Sequence, residues 1–374
     1  MVRPYDMQFM KMALALAERG LGQVAPNPAV GCVIVRDEGG EPRVVGRGWT
    51  QAGGRPHAET EALARAGTLA KGATAYVSLE PCAHHGKTPP CAEALIEAGI
   101  ARVVGAIADP NPEVAGRGFA LLQAKGVEVT ENICTADARY LNEGFFLVMS
   151  EKRPLVTLKV ATSLDGRTAT HDGDSQWITG DDARARGHLL RATHDAIMVG
   201  SATAIVDDPE LTCRMPGLAA RSPIRIIADG RLRLPLTSKL VASAKEIPLW
   251  VLTRPDGEAQ RRRAYEDCGV ELIDVEPGEG GVMDMRAALE QIAARGVTRL
   301  LAEGGARLAA SLVRARLVDR IEWFQAPKLV GGDGMPAISA LGVKHLDNAP
   351  LFMLQDVVQL GEDSLASYVR GSEA

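Results

Sequence analysis

The stretch 57–91 constrains this chain more than any other. It opens His57-Ala58-Glu59 and closes Glu80-Pro81-Cys82-Ala83-His84-His85-Gly86-Lys87-Thr88-Pro89-Pro90-Cys91. One imidazole and two thiolates, His57, Cys82 and Cys91, supply three protein ligands to a tetrahedral zinc. They leave the fourth position to water, as catalytic rather than structural zinc sites do. A fold that uses them must bring both ends of the stretch to one point. Glu59 stands two residues after the His, where a carboxylate can take a proton from water at the metal and hand it to a leaving amine. The competing reading is a surface His with two buried thiols that act as small hydrophobes.

His-x-Glu alone is a weak sign, but followed by Pro-Cys and a further Cys it is the signature of zinc nucleobase deaminases. Those enzymes usually carry Cys-x-x-Cys, whereas eight residues separate Cys82 from Cys91 here. The insert holds His84, His85 and Lys87. It reads either as a loop that presents cations to an anionic substrate or as a solvated Pro-rich turn, and one His is a possible competing ligand.

The 374 residues suit two domains, with a break where Glu151-Lys152-Arg153 and Pro154 interrupt the pattern. This gives 1–150 and 151–374. At 46% hydrophobic and 24% charged the chain reads as globular, and a net charge of −5 argues against general nucleic-acid affinity. No apolar run is long enough to cross a bilayer and no leader pattern opens the chain. Six cysteines in a chain this long make no disulfide framework, which suits a reducing cytoplasm.

In the first half, Asp6 is expected to cap a helix over 6–19 with Phe9, Met10, Ala13, Leu16 and Ala17 as its apolar stripe. Pro26-Asn27-Pro28 holds the Asn27 amide in a stiff loop, aimed at a ligand or closing an Asx-type turn. Strands are expected over 30–35, 44–49, 73–79 and 102–107, and helices over 57–66, 91–98 and 119–125. Strand alternating with helix predicts an α/β/α layer.

In the second half, strands are expected over 155–161, 196–200, 224–228, 248–253, 270–274, 299–302 and 321–326. A closing hairpin, 352–360 with 364–370, turns around Gly361-Glu362-Asp363. Helices are expected over 182–191, 257–267, 283–295 and from Ala306 to 316. Trp177 in a polar loop can stack on a planar ring or fold back on the core. Gly200-Ser201-Ala202-Thr203 and Glu303-Gly304-Gly305-Ala306 are small-residue junctions where a helix can begin close to a phosphate. Neither is a Gly-x-Gly-x-x-Gly fingerprint. The 331–334 loop, Gly331-Gly332-Asp333-Gly334, is expected to be mobile.

The first half resembles the bacterial riboflavin-biosynthesis deaminase. The resemblance rests on Pro26-Asn27-Pro28-x-Val30-Gly31, His57-Ala58-Glu59, and Ser78-Leu79-Glu80-Pro81-Cys82-x-His84-x-Gly86-x-Thr88-Pro89-Pro90-Cys91. In that family the long gap between the cysteines is normal. It implies a cytidine-deaminase-like domain with zinc on His57, Cys82 and Cys91, Glu59 as proton shuttle, and Asn27, His84 and Lys87 near substrate. The implied substrate is a phosphoribosylated diaminopyrimidine that loses its 2-amino group as ammonia. Two local departures are a longer loop, Gly53-Gly54-Arg55-Pro56, and Glu61 where a His is frequent.

The second half is similar to the reductase domain that accompanies this deaminase. The matching stretches are Lys159-x-Ala161-x-Ser163-Leu164-Asp165-Gly166-Arg167, Ser175-Gln176-Trp177-Ile178-Thr179, Ser201-Ala202-Thr203-x4-Asp208-Pro209-x-Leu211-Thr212, and Glu303-Gly304-Gly305. This implies a dihydrofolate-reductase-like α/β domain that binds NADPH and reduces the ribosyl group to ribityl. The family places Ala161, Trp177, Thr203, Asp207 and Gly305 near cofactor, and Ser175, Arg191, Leu211, Arg214 and Glu303 near substrate. Arg191 and Arg214 suit phosphate clamps, since a guanidinium offers paired donors. The proton donor is open between Asp165, Asp207 and water. The implied whole is a bifunctional zinc and NADPH enzyme acting on a small pyrimidine, expected to be homo-oligomeric. The alternatives are a deaminase of cytidine, deoxycytidylate or tRNA adenosine joined to an NADP-binding domain, and a non-catalytic NADP-binding regulator with structural zinc. An intact Glu59 argues against the last.

Overall fold

The computed structural model describes residues 2–84, 89–110 and 115–371. The chain divides into two compact units, Met1–Glu151 and Lys152–Ala374.

In the first unit, α1 (Asp6–Ala17) precedes the hairpin β1 (Gly31–Glu38) and β2 (Glu41–Trp49). There follow α2 (Ala58–Ala66), β3 (Thr74–Val77), α3 (Cys91–Glu97), β4 (Arg102–Gly105), α4 (Arg117–Ala124), β5 (Glu128–Thr130) and α5 (Thr135–Glu151). The sheet runs β2-β1-β3-β4-β5; β1 is antiparallel to both neighbours, and β3, β4 and β5 are parallel. Glycines set the layers. A Cβ on Gly31 would lie 1.9 Å from the Ala13 carbonyl of α1, and one on Gly48 would lie 2.2 Å from the Ala58 carbonyl of α2. Gly48 pairs with Cys32, the residue after Gly31, and successive residues point to opposite faces, so α1 and α2 cover opposite faces. That is the α/β/α layer expected from the alternation of strand and helix.

Asp6 is not the cap expected of it. Tyr5 takes that position, and the helix gives way after Ala17 to a 3₁₀ turn, Glu18–Gly20. The Asp6 carboxylate is fully buried and receives the Arg102 guanidinium through two bonds of 2.8 Å, the Tyr76 hydroxyl at 3.0 Å and the Arg3 N–H at 2.7 Å. A buried guanidinium needs a paired countercharge, and that demand outweighs a cap bond. Neither β5 nor α5 was anticipated: β5 has three residues, and α5 is broken at Asn142 by a non-helical backbone. The Asn142 amide spans the N–H and C=O of Ala29, each at 2.9 Å, tying α5 to the segment before β1.

The second unit contains β6 (Leu155–Thr162), β7 (Arg167–Ala169), α6 (Asp181–Ala192), β8 (Ala196–Gly200), α7 (Ser201–Asp207), β9 (Ile224–Ala228), α8 (Lys239–Ala242) and β10 (Leu249–Thr253). It continues through α9 (Ala259–Asp267), β11 (Glu271–Asp274), α10 (Met285–Ala294), β12 (Arg299–Glu303), α11 (Ala306–Arg314), β13 (Arg320–Gln325), β14 (Met335–Pro336), β15 (Phe352–Leu360) and β16 (Asp363–Arg370). Its nine-stranded sheet has the order β11-β10-β9-β8-β12-β6-β13-β16-β15. The strands from β11 to β13 are parallel, and the closing hairpin is antiparallel. Parallel strands are covered on both faces, so β10 and β12 are buried throughout, with apolar runs at Leu249–Leu252 and Leu300–Ala302. From β6 the chain crosses to β8 and steps outward to β11, returning later to insert β12 between β6 and β8. Ligands of such sheets sit at the carboxyl ends of the strands beside a reversal of this kind. The 331–334 loop, read as mobile, is tied: the Asp165 carboxylate accepts the Gly331 N–H at 2.7 Å and the Val330 N–H at 3.2 Å.

Candidate active sites

His57 is the residue before α2, Cys82 follows β3, and Cys91 opens α3. The His57 Nδ1 lies 3.2 Å from the Cys91 Sγ and 3.7 Å from the Cys82 Sγ, and the Cys91 N–H donates to the Cys82 Sγ at 3.3 Å. Among the described residues these three form the converging set of ligand atoms, all within 4.8 Å of one another. The donor set fits zinc. The Cys82 thiol is pulled down to about 4, first by its hydrogen bond from Cys91 and then by His57. Cys91 is pushed up, first by that same bond and then by burial. Two sulfurs this close become thiolates together only around a cation.

Glu59 lies in the first turn of α2 at 3% exposure, and burial together with the Cys82 thiolate raises its carboxyl to about 7. A carboxyl poised there can accept and return a proton near neutral pH. Glu61 points elsewhere, to an ion pair with Arg65 at 3.0 Å. Asn27 donates its amide to the Val24 carbonyl at 3.3 Å, and its side chain packs on Gly54, where a Cβ would come within 2.0 Å of the amide nitrogen. The longer loop before His57 therefore seats against Asn27. His84 is exposed and outside the converging set, while Lys87, like His85, lies outside the described residues.

Glu80 has a role that its sequence position did not announce. Its carboxylate is buried and, among the described residues, accepts four backbone N–H groups, from Asp109 (3.1 Å), Gly116 (2.9 Å), Gly118 (2.8 Å) and Phe119 (3.4 Å). The next carbonyl, Pro81, packs on Gly118, where a Cβ would fall 1.9 Å away. The segment that carries Cys82 is thereby locked to the start of α4. The available signal was an acidic residue closing an apolar strand.

In the second unit a cavity of about 1340 Å³ opens at the carboxyl ends of β6, β8, β9, β10 and β12. Ala161, Trp177, Thr203, Asp207 and Gly305 line it, as do Ser175, Arg191, Leu211, Arg214 and Glu303. Trp177 is 61% exposed, under the Arg184 guanidinium at 4.8 Å, rather than folded into the core. Gly304 and Gly305 have φ of +91° and +90°, and a Cβ on Gly305 would lie 3.1 Å from the Thr203 hydroxyl. The Arg191 guanidinium makes two 2.8 Å bonds to the Glu303 carboxylate and one of 3.0 Å to the Thr212 carbonyl. Arg191 and then Lys159 hold Glu303 down to about 2 against its burial. Arg214 is exposed and pairs with Glu210 at 3.4 Å. Asp165 is held down to about 2, chiefly by the Ser163 hydroxyl, so it carries no proton to give near neutral pH. Burial raises Asp207.

The pattern that defines the cytidine and deoxycytidylate deaminase zinc-binding region matches residues 4–107, and that of the RibD C-terminal domain matches residues 154–366. The chain is 40% identical to the riboflavin biosynthesis protein RibD of Aquifex aeolicus, covering 99% of this chain and 100% of that one. It is 42% identical to the Escherichia coli protein of the same name, over 96% and 97% of the two chains. The structure of RibD from Acinetobacter baumannii superposes with a TM-score of 0.87 at 39% identity, covering 98% of this chain and 99% of that one. A Thermotoga maritima diaminohydroxyphosphoribosylaminopyrimidine deaminase/5-amino-6-(5-phosphoribosylamino)uracil reductase superposes with a TM-score of 0.84 at 33% identity, again over 98% and 99%.

Proposed function

The chain belongs to the RibD family of riboflavin biosynthesis, zinc deaminase and NADPH reductase in one polypeptide, and from that premise we propose how its residues divide the work. The first unit hydrolyses 2,5-diamino-6-(5-phosphoribosylamino)pyrimidin-4-one at its 2-amino group and releases ammonia. His57, Cys82 and Cys91 hold the zinc, which supplies Lewis-acid activation of water when bound. Glu59 takes the proton that this water gives up and delivers it to the departing amino nitrogen. Its burial supports that role, because a carboxyl with an ordinary pKa would give up its proton too readily to return it. Asn27, His84 and Lys87 contact the substrate.

The second unit reduces the ribosyl group of the deaminated product to ribityl, giving 5-amino-6-(5-phosphoribitylamino)uracil. NADPH supplies the hydride when bound; the protein positions and excludes. Ala161, Trp177, Thr203, Asp207 and the Gly305 turn hold the cofactor. Ser175, Leu211, Arg214 and the Arg191–Glu303 pair hold the substrate. Because Arg191 already meets Glu303 through two bonds, the pair serves best as a rigid floor that presents both groups together.

The protein works as a homo-oligomer in the cytoplasm. Strand β15 is an edge strand whose Met353, Leu354, Val357 and Val358 are exposed, as Leu351 just before it is; a second copy is the partner such an apolar edge suits. Six unpaired cysteines support a reducing compartment.

The observation that carries the deaminase assignment is the convergence of three zinc donors beside a buried Glu59. The test is ammonia release from the diaminopyrimidine phosphoribosyl substrate, with and without NADPH, for the native protein and Glu59→Gln. Ammonia should appear without NADPH, NADPH oxidation should follow only after deamination, and Glu59→Gln should stop both. Zinc binding without ammonia release would refute the deaminase half, and deaminated product that leaves NADPH untouched would refute the reductase half.

A further inference from the structure

Helix α6 grips the segment that carries Leu211 and Arg214, and His188, which none of the roles above uses, is the centre of that grip. Residues 208–214, between α7 and β9, form neither helix nor strand. Asp208 and Leu211 have φ of +38° and +56°, in the left-handed region that side chains rarely adopt. Such a backbone persists only where its surroundings fix it. Among the described residues, four bonds fix its end. The Arg191 guanidinium donates to the Thr212 carbonyl at 3.0 Å, and the Cys213 N–H donates to the Ser222 hydroxyl at 3.1 Å. The Cys213 thiol donates to the His188 carbonyl at 3.4 Å, and the Arg214 N–H donates to the His188 Nδ1 at 3.3 Å. Arg184, His188 and Arg191 stand at i, i+4 and i+7 on α6, so one face of the helix presents all three.

An imidazole accepts at Nδ1 only when it is neutral, with its proton on Nε2. Burial, then the Arg191 and Arg214 guanidiniums, lower the pKa of His188, while Glu303 and the Thr212 backbone act the other way. The ring is therefore neutral near pH 7 and able to accept. The bond it receives ends one atom from the Arg214 Cα, so it sets the point from which that guanidinium reaches. The Arg214 side chain is otherwise placed by Glu210 at 3.4 Å, in a pair exposed on both sides, and a surface pair of this kind contributes little. Arg191 is already engaged by Glu303, which leaves Arg214 to meet the phosphate of the substrate. We propose that His188 is a positioning residue of the second unit: it holds the Arg214 backbone so that the guanidinium meets this phosphate. The proposal rests on the assignment of Arg214 to the substrate.

The test measures steady-state NADPH oxidation with 5-amino-6-(5-phosphoribosylamino)uracil and with its dephosphorylated counterpart. The proteins are the native chain, His188→Ala, His188→Asn, Arg214→Ala, and His188→Ala combined with Arg214→Ala. Arg214→Ala should raise KM for the phosphorylated substrate about 10- to 100-fold, as loss of a charged donor does. His188→Ala should raise it about 3- to 10-fold, as loss of a neutral bond does, with kcat within about twofold of native. Neither should change KM for the dephosphorylated substrate. The Asn Oδ1 stands where the His Nδ1 stood, so His188→Asn should recover most of the native KM. In the Arg214→Ala background, His188→Ala should have no further effect, because the group it positions is gone. An unchanged KM in His188→Ala beside a raised KM in Arg214→Ala would overturn the positioning role alone. So would a loss that falls equally on both substrates, which is what a purely structural residue would give, or an Asn variant no better than the Ala one. An unchanged KM in Arg214→Ala would overturn the assignment of Arg214 to the phosphate, and the proposal with it.

Discussion

Glu80→Gln should damage the first unit far more than its conservative chemistry suggests. The side chain keeps its volume, so packing beside Gly118 is unaltered. What changes is the acceptor set. Oε1 takes the N–H groups of Gly118 and Phe119, and Oε2 takes those of Asp109 and Gly116. An amide retains one oxygen, and whichever way it turns, its NH₂ faces two N–H donors. A hydrogen bond to a charged group contributes about 1.5–3 kcal/mol, so losing two removes about 3–6 kcal/mol, with the lower half favoured because the Phe119 bond is long. Against a domain stability of about 5–15 kcal/mol that is a large fraction. Since Glu80 stands two residues before Cys82, zinc should also be held about 10- to 100-fold less tightly, as when the groups that orient metal ligands are lost. Urea unfolding followed at Trp49, which is the tryptophan of the first unit, and competition for zinc with a chromophoric chelator measure the two effects. Glu61→Gln, which alters only a partly exposed ion pair with Arg65, is the control and should stay within about 0.5 kcal/mol. A Glu80→Gln protein equally close to native in stability, with zinc affinity unchanged, would refute the reasoning.

Three further outcomes are expected. Glu59→Gln should lower deamination about 10²- to 10⁴-fold while retaining one zinc per chain, measured by ammonia release beside metal analysis. Stripping zinc with a chelator should abolish deamination yet leave NADPH oxidation by the deaminated product intact, because the ligands belong to the first unit alone. His194 is buried between the Leu190 carbonyl and the Thr157 hydroxyl, and burial lowers its pKa to about 3. The unfolded chain therefore binds this proton first. The stability it confers is full above about pH 6.5 and is lost as the pH falls toward 3, about 5 kcal/mol in all at 1.36 kcal/mol per unit. Urea unfolding of the second unit across that range should show the loss, and His194→Gln should flatten it; a native profile already flat would exclude the assignment.

The zinc donors were legible as a string because ligand chemistry belongs to residue type and short spacing, and the buried parallel strands were legible because an apolar run is a local signal. The hairpin turn around Gly361 was readable for the same reason. The fates of the acidic residues were not. Asp6, Glu59, Glu80 and Glu303 are all acidic residues buried in the structure, yet one neutralises Arg102, one is raised toward neutrality, one clamps four N–H groups, and one pairs with Arg191 across 112 residues. Each outcome depends on partners far away in the chain. Composition and spacing decide which chemistry a chain has available. Burial and long-range pairing, set only when the strands take their order, decide which side chain performs it.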